Sequence, residues 1–142
     1  MARIILISCV SKKLPHKARA EDLYTSPLFK YTLEYAKSLR PDNIYILSAE
    51  YGLLSLDKEI VPYDKTLNKM PEKEMKKWAN NVINQLENRA DLQKDEIIFL
   101  AGQKYRKYLI PHIRNYKIPL ERLSIGRQLK YLKMKLENKL SK

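Results

Sequence analysis

A single cysteine, Cys9, stands among the 142 residues, so the chain can close no disulfide within itself. That usage fits a reducing compartment, and a cytoplasmic protein is expected. The two histidines, His16 and His112, are far apart in sequence and His112 is far from Cys9, which argues against a structural zinc site; no metal and no cofactor are expected. With only three glycines the chain has neither the Gly-x-x-x-x-Gly-Lys phosphate loop nor the Gly-x-Gly-x-x-Gly dinucleotide turn. No apolar run approaches the roughly 20 residues that a membrane-spanning helix needs, so no membrane partner is expected. The opening Met1-Ala2-Arg3 with Ile4-Ile5-Leu6-Ile7 is too short an apolar core for a signal peptide and reads as a first strand. Internal repeats and low-complexity linkers are also missing, and the length suits one domain over residues 1–142.

Positive charge is what the chain has in excess. Twenty-eight Lys and Arg against sixteen Asp and Glu give +12, unevenly spread. Residues 101–142 hold twelve basic and two acidic side chains, hence +10, and the first hundred hold sixteen and fourteen, hence +2. A concentrated basic segment attracts polyanions by counterion release, so nucleic acid or a phosphorylated ligand is the expected partner. A merely solvated lysine-rich surface is the plainer alternative.

The apolar pattern alternates between strand and helix. Arg3-Ile4-Ile5-Leu6-Ile7-Ser8, Asn43-Ile44-Tyr45-Ile46-Leu47-Ser48 and Glu96-Ile97-Ile98-Phe99-Leu100-Ala101 are continuous apolar runs, as expected of strands covered on both faces. Ser26 and Pro27 look like an N-cap and first helical position, followed by Leu28, Thr32, Tyr35, Ala36 and Leu39 at helical spacing. Pro71, with Glu72 and Glu74 behind it, opens a second helix whose stripe is Met75, Trp78, Ala79, Val82, Ile83 and Leu86. A third helix follows Gly102 through Tyr105, Tyr108 and Leu109, with Pro111 kinking or splitting it. The last carries Leu129, Leu132, Leu136 and Leu140 on one face. Glu50 to Met70 reads as a long irregular stretch, and Leu123-Ser124-Ile125 as a further edge strand. The expected fold is an α/β three-layer α/β/α sandwich on a small, three- to four-stranded, mainly parallel sheet.

Open parallel sheets bind ligands beyond the carboxyl ends of their strands. The first such end, Ser8-Cys9-Val10-Ser11-Lys12-Lys13, offers hydroxyls, a thiol and ammonium groups suited to a phosphate or an anionic sugar edge. Cys9 as a nucleophile would need a neighbouring base, and none is identifiable. The second end supplies Glu50, Tyr51 and Gly52, and the same long loop brings Tyr63 and Asp64: carboxylates for general base work and rings to stack a base. Gly52 permits a positive φ or a close approach, while the loop tyrosines and Asp64 can equally be structural. The third supplies Gly102, Gln103, Tyr105 and Arg106, with a helix N-terminus open to an anion. Arg127, after Gly126, is a comparable phosphate candidate, as are the lysines near it, Lys130 among them.

The ordered motifs Ser8-Cys9-x-Ser11-Lys12, Leu23-Tyr24-x-Ser26-Pro27-Leu28-Phe29, Leu47-Ser48-Ala49-x-Tyr51-Gly52-Leu53, Pro62-Tyr63-Asp64-x-Thr66-Leu67 and Ala101-Gly102-x-x-Tyr105 resemble a small bacterial, archaeal and phage family known mainly as a domain of unknown function. The resemblance ends with Ile125-Gly126-Arg127-Gln128-Leu129. That family is distantly similar to uracil-DNA-glycosylase-like α/β domains, including one inside archaeosine synthase. This implies a parallel-sheet fold with a pocket for a base or modified nucleoside. The Gly-Gln-Asp-Pro-Tyr and His-Pro-Ser loops of true uracil-DNA glycosylases are missing, so their catalytic residues do not carry over.

The leading expectation is a nucleic-acid-acting, glycosylase-like domain, a hydrolase of an N-glycosidic bond. Asp64 is the first choice of carboxylate and Glu50 the second. Tyr51 or Tyr63 would stack the base, Gln103 would read its edge, and Lys13, Arg106, Arg127 and Lys130 would hold the phosphate backbone. The rivals are a non-catalytic nucleic-acid-binding module and an enzyme on a free nucleotide or sugar phosphate. Either a monomer or a homodimer fits.

Overall fold

The computed structural model describes residues 1–140, with side chains through residue 137. Three apolar runs become the central parallel strands β1 (Arg3–Ser8), β3 (Asn43–Ser48) and β6 (Glu96–Leu100). β1 lies in the middle, with Ile5 opposite Ile44 on one side and Ile98 on the other. Every residue from Ile4 to Ile7 is at most 1% exposed, which explains a run without alternation.

The sheet has five strands rather than three or four, because two short edges were not legible. β4 (Gly52–Ser55) folds back antiparallel on β3, with Ser48 opposite Gly52. β7 (Tyr116–Lys117) adds two parallel residues to β6. The order is therefore β4-β3-β1-β6-β7. The expected edge strand at Leu123–Ile125 does not form. There Leu123 closes a turn onto the Leu120 carbonyl, Arg122 takes a φ of 72°, and Ile125 already begins the last helix.

A pair of residues, β2 (Ala18–Arg19), meets β5 (Glu59–Ile60) in a separate ribbon, and a single helical turn, α1 (Ala20–Leu23), follows β2. Helix α2 (Pro27–Ser38) starts as expected: the Ser26 hydroxyl accepts from the Phe29 N–H, and Pro27 occupies the first turn. Helix α3 (Glu72–Glu87) buries Trp78, Ala79, Val82, Ile83 and Leu86. Because β3 and β6 flank β1 on opposite sides, right-handed crossovers put α2 and α3 on opposite faces. The final helix, α5 (Ile125–Leu140), packs beside α2, where Tyr35 and Tyr131 meet edge to face at 6.1 Å. These are the three layers. In the α5 stripe Leu132 is fully buried and Leu129 and Leu136 half-buried, while the Leu140 side chain lies outside the described residues. Among the described residues no helix is long and apolar enough to cross a membrane.

The helix after Gly102 is shorter than its apolar spacing predicts. α4 runs only over Gln103–Arg106, and a 3-10 turn follows at Ile110–His112. Pro111 has no N–H to give the Lys107 carbonyl, and the chain tightens to Leu109 N–H on Arg106 and His112 N–H on Leu109. The stretch from Glu50 to Met70 is also less irregular than expected, since it contains β4, β5 and a 3-10 turn at Leu67–Lys69 capped by Thr66.

At the amino ends of the strands, buried Glu96 joins Arg3 at 3.0 Å and Lys117 at 3.1 Å, tying β1, β6 and β7 together. The Lys117 ammonium, then Arg3, holds the Glu96 carboxyl below its ordinary 4.5. A depressed folded-state value stabilises the protein above the unfolded value and stops doing so as pH falls through the folded one. The melting temperature should therefore decline below about pH 4.5, and Glu96→Gln should remove part of that decline in thermal melts across pH. Superimposable profiles for parent and variant would contradict it.

Candidate functional site

The chain leaves β1 toward β3 and returns past β1 to β6, so the connections diverge between β1 and β6. This is the switch point at which open α/β sheets hold ligands. A cleft of about 860 Å³ opens there. Ser8, Cys9, Ser11 and Lys13 form one wall, and Gly102, Gln103, Tyr105 and Arg106 the opposite one. Asp64 and its neighbours close the third side, and Leu28, Phe29 and Thr32 of α2 complete the lining; of these three only Leu28 is more than marginally exposed.

Charge in the cleft is lopsided. Lys13, Lys65, Lys69, Lys104, Arg106 and Arg122 stand against Asp64 and Glu121, six cations to two carboxylates. Arg106 is partly committed, since its Nη1 donates to the Ala101 carbonyl at 2.8 Å and its Nη2 lies 4.0 Å from Glu121. Asp64 is exposed and has no hydrogen-bond or ion-pair partner among the described residues. It is the one cleft carboxylate without a cation of its own. As α4 has a single turn, its dipole adds little to this field, contrary to the expectation of an anion site at its N-terminus.

Beneath the first loop lies a buried hydroxyl cluster. Ser48 Oγ donates to Tyr63 Oη at 2.8 Å, so the Tyr63 proton is free to go to Tyr24 Oη, 2.7 Å away. Ser48 Oγ also accepts the N–H groups of Glu50 and Tyr51, and the Trp78 indole donates to the Ser48 carbonyl at 2.8 Å. Cys9 Sγ sits 3.3 Å from Tyr105 Oη. Burial, reinforced by the nearby Cys9 thiol, pushes the Tyr63 and Tyr105 phenols well above the ordinary phenol range, and burial does the same for Tyr24. All three stay protonated at any physiological pH and serve as neutral hydrogen-bonding posts rather than bases. The cluster fixes the Tyr63-Asp64 segment over the ends of β1 and β3.

Several predicted residues do not share the cleft. Glu50, Tyr51 and Gly52 line a second depression of about 660 Å³ against α3. Glu50 and Asp64 thus line different depressions, which have Lys65 in common. Tyr63 is on the lining of neither; the Lys13 ammonium stands over its ring at 4.3 Å and the Tyr51 ring meets it in a T-shaped contact at 5.6 Å, an arrangement that holds the loop. Lys12 is exposed, and its carbonyl accepts the Thr25 N–H. Arg127 and Lys130 are exposed on α5, whose Ile125 and Gln128 reach the cleft. Gly52 has a φ of 72°, and a Cβ there would run into Gln85 Oε1. At Gly102 a Cβ would meet nothing, so that glycine only keeps the wall low.

Lys65, Lys69 and Arg122 were not legible as site residues, and Lys104 stood within the segment Ala101-Gly102-Gln103-Lys104-Tyr105-Arg106 without a role of its own. The first two stand one and five positions after Asp64 in a loop already singled out, which was a usable signal. Arg122 enters through a left-handed turn that nothing in the local sequence announces. Among the described residues no group of three or more His, Cys, Asp and Glu is arranged to hold a metal ion.

No curated protein and no solved structure matches the chain. Residues 4–134 match the profile of a family of unknown function, DUF6884, which spans both walls of the cleft and the whole sheet. The chain belongs to the DUF6884 family.

Proposed function

We propose that the switch-point cleft receives one phosphorylated nucleoside unit of a nucleic acid, and that the chain is a glycosylase-like domain acting there on the N-glycosidic bond. The observation that carries the ligand class is the charge of the cleft, six cations to two carboxylates at the carboxyl ends of β1 and β6. Such a field draws phosphate, and its volume lies within the roughly 300–1,000 Å³ of small-ligand sites. Half-buried Leu28 gives a base an apolar contact, and Gln103 offers both a donor and an acceptor to its edge. Outside the cleft, exposed Arg127 and Lys130 continue the basic surface, which favours a polymer over a free nucleotide.

Asp64 carries the chemistry in this reading. As the bond from C1′ to the base nitrogen breaks, its electron pair leaves with the base and positive charge grows on the sugar. The Asp64 carboxylate stabilises that charge, orients a water toward C1′ and takes its proton; the departing base is protonated by solvent. This hydrolysis needs no cofactor.

Binding is tested by titrating the protein against single-stranded DNA, duplex DNA and tRNA at several salt concentrations. At least one should bind with a log–log salt slope of about −2 or steeper, corresponding to three or more phosphates at about 0.7 per contact on single strands and about 0.9 on duplex. Negligible binding at low salt would overturn the reading and leave free nucleotides or sugar phosphates as the ligands to try. Tight binding with no released base from any modified substrate would make the domain a binding module.

A further inference from the structure

The second depression shares Lys65 with the cleft, and both open on the same carboxyl edge of the sheet. The cleft lies over β1 and β6, and the depression between the end of β3 and α3, with the Tyr63–Met70 segment separating them. Their chemistry differs. The cleft has an excess of four positive charges, whereas the depression sets Glu50 and Glu74 against Lys65 and Lys77 and is balanced. A phosphate has no reason to settle among those carboxylates, but a neutral base does. Carboxamides are there to meet it, with Asn81 and Asn84 exposed on α3, and half-buried Tyr51 also lines the depression. Glu74, Lys77, Trp78, Asn81, Asn84 and Gln85 recur at intervals of three and four, so a single stripe of α3 builds this wall.

We propose that the depression is a second subsite, which takes the base of the nucleotide next to the one in the cleft while Lys65 holds the phosphate that joins them. The inference rests on the nucleic-acid reading of the cleft and names its minimal ligand, two linked nucleotides rather than one. Glu50 is then a base-recognition group: its carboxylate, like that of Glu74, accepts the exocyclic amine of adenine, cytosine or guanine, a donor that thymine and uracil lack. This accounts for a carboxylate set apart from Asp64.

The test uses the full chain and two defined probes, deoxyadenosine 5′-monophosphate and the 5′-phosphorylated deoxyadenosine dinucleotide, with affinities measured by calorimetry. The dinucleotide should bind about tenfold or more tighter, the increment expected from one further base and phosphate. Asn81→Ala with Asn84→Ala, both exposed helix positions at which alanine keeps the fold, should remove most of that advantage and leave monophosphate affinity unchanged. Lys65→Gln should reduce it as well. If the dinucleotide binds no better than the monophosphate, or the α3 variant weakens both probes equally, the second subsite is overturned while the cleft stands. If neither probe binds, the cleft reading itself fails, and the subsite with it.

Discussion

Gly52→Ala should melt roughly 10 °C below the parent protein while changing only one hydrogen atom to a methyl group. Two effects add. Gly52 sits at a φ of 72° where β3 turns into β4, and an L-residue held there costs about 1–2 kcal/mol. The new Cβ also collides with Gln85 Oε1, the acceptor for the Leu53 N–H at 2.9 Å. Pushing Gln85 aside leaves that N–H unpaired beside a strand, worth about 1–3 kcal/mol more. The sum is about 3 kcal/mol, and each kcal/mol moves the melting point of a domain this size by about 3 °C. The contributions separate in a double-mutant cycle. In a Gln85→Ala background the collision is gone and the N–H is already unpaired, so adding Gly52→Ala should then cost only the backbone strain, about 1–2 kcal/mol. Additive melts, or a Gly52→Ala protein within about 2 °C of the parent, would contradict the tight fit of this hairpin against α3.

Asp64→Asn should slow base release about a hundredfold to a thousandfold on any polynucleotide that the parent depurinates or depyrimidinates, the range seen when one preorganised electrostatic group is removed from a developing charge. Asparagine keeps the size of the side chain and can still hydrogen-bond, but it neither balances a cationic sugar nor takes a proton from water. Since Asp64 has no partner among the described residues, its replacement breaks no fold contact and the melting point should not move. Affinity should hold or rise slightly, because one of the two negative charges leaves a cationic cleft. A loss of rate without loss of binding is the pattern of a group acting in the transition state. Full release by Asp64→Asn would remove it from that role. Glu50→Gln, on the far side of the Tyr63–Met70 segment, should leave the rate of the bond-breaking step nearly unchanged.

The layers were legible from the chain because the three central strands are apolar without alternation and the α2 and α3 stripes are regular. What escaped was what depends on partners distant in sequence. β7 is two residues long, both exposed, and exists because β6 offers it an edge and Glu96 holds Lys117. α4 looked longer because Tyr105, Tyr108 and Leu109 keep helical spacing through a segment that Pro111 forces into tighter turns. The three loops at the carboxyl edge were recognisable by position, and two of them do face each other across the cleft. The middle one divided three ways. Tyr63 stays with Ser48 and Tyr24, Asp64 turns to β1 and β6, and Glu50 and Tyr51 turn to α3. No spacing rule distinguishes these destinations, since they are decided by a hydroxyl cluster whose members come from positions 24, 48 and 63.

The central claim is that nucleic acid is held in the cleft and not merely on a basic surface. It is tested by repeating the single-stranded DNA titration with Lys69→Gln combined with Lys104→Gln, two exposed cleft lysines, at several salt concentrations. A cleft that grips phosphate loses both contacts, so affinity at low salt should fall about tenfold or more and the salt slope should flatten by about 1.4, since single strands lose about 0.7 per contact. An unchanged slope and affinity in that variant, with the parent binding tightly, would place the nucleic acid elsewhere on the protein and empty the cleft of its assigned role.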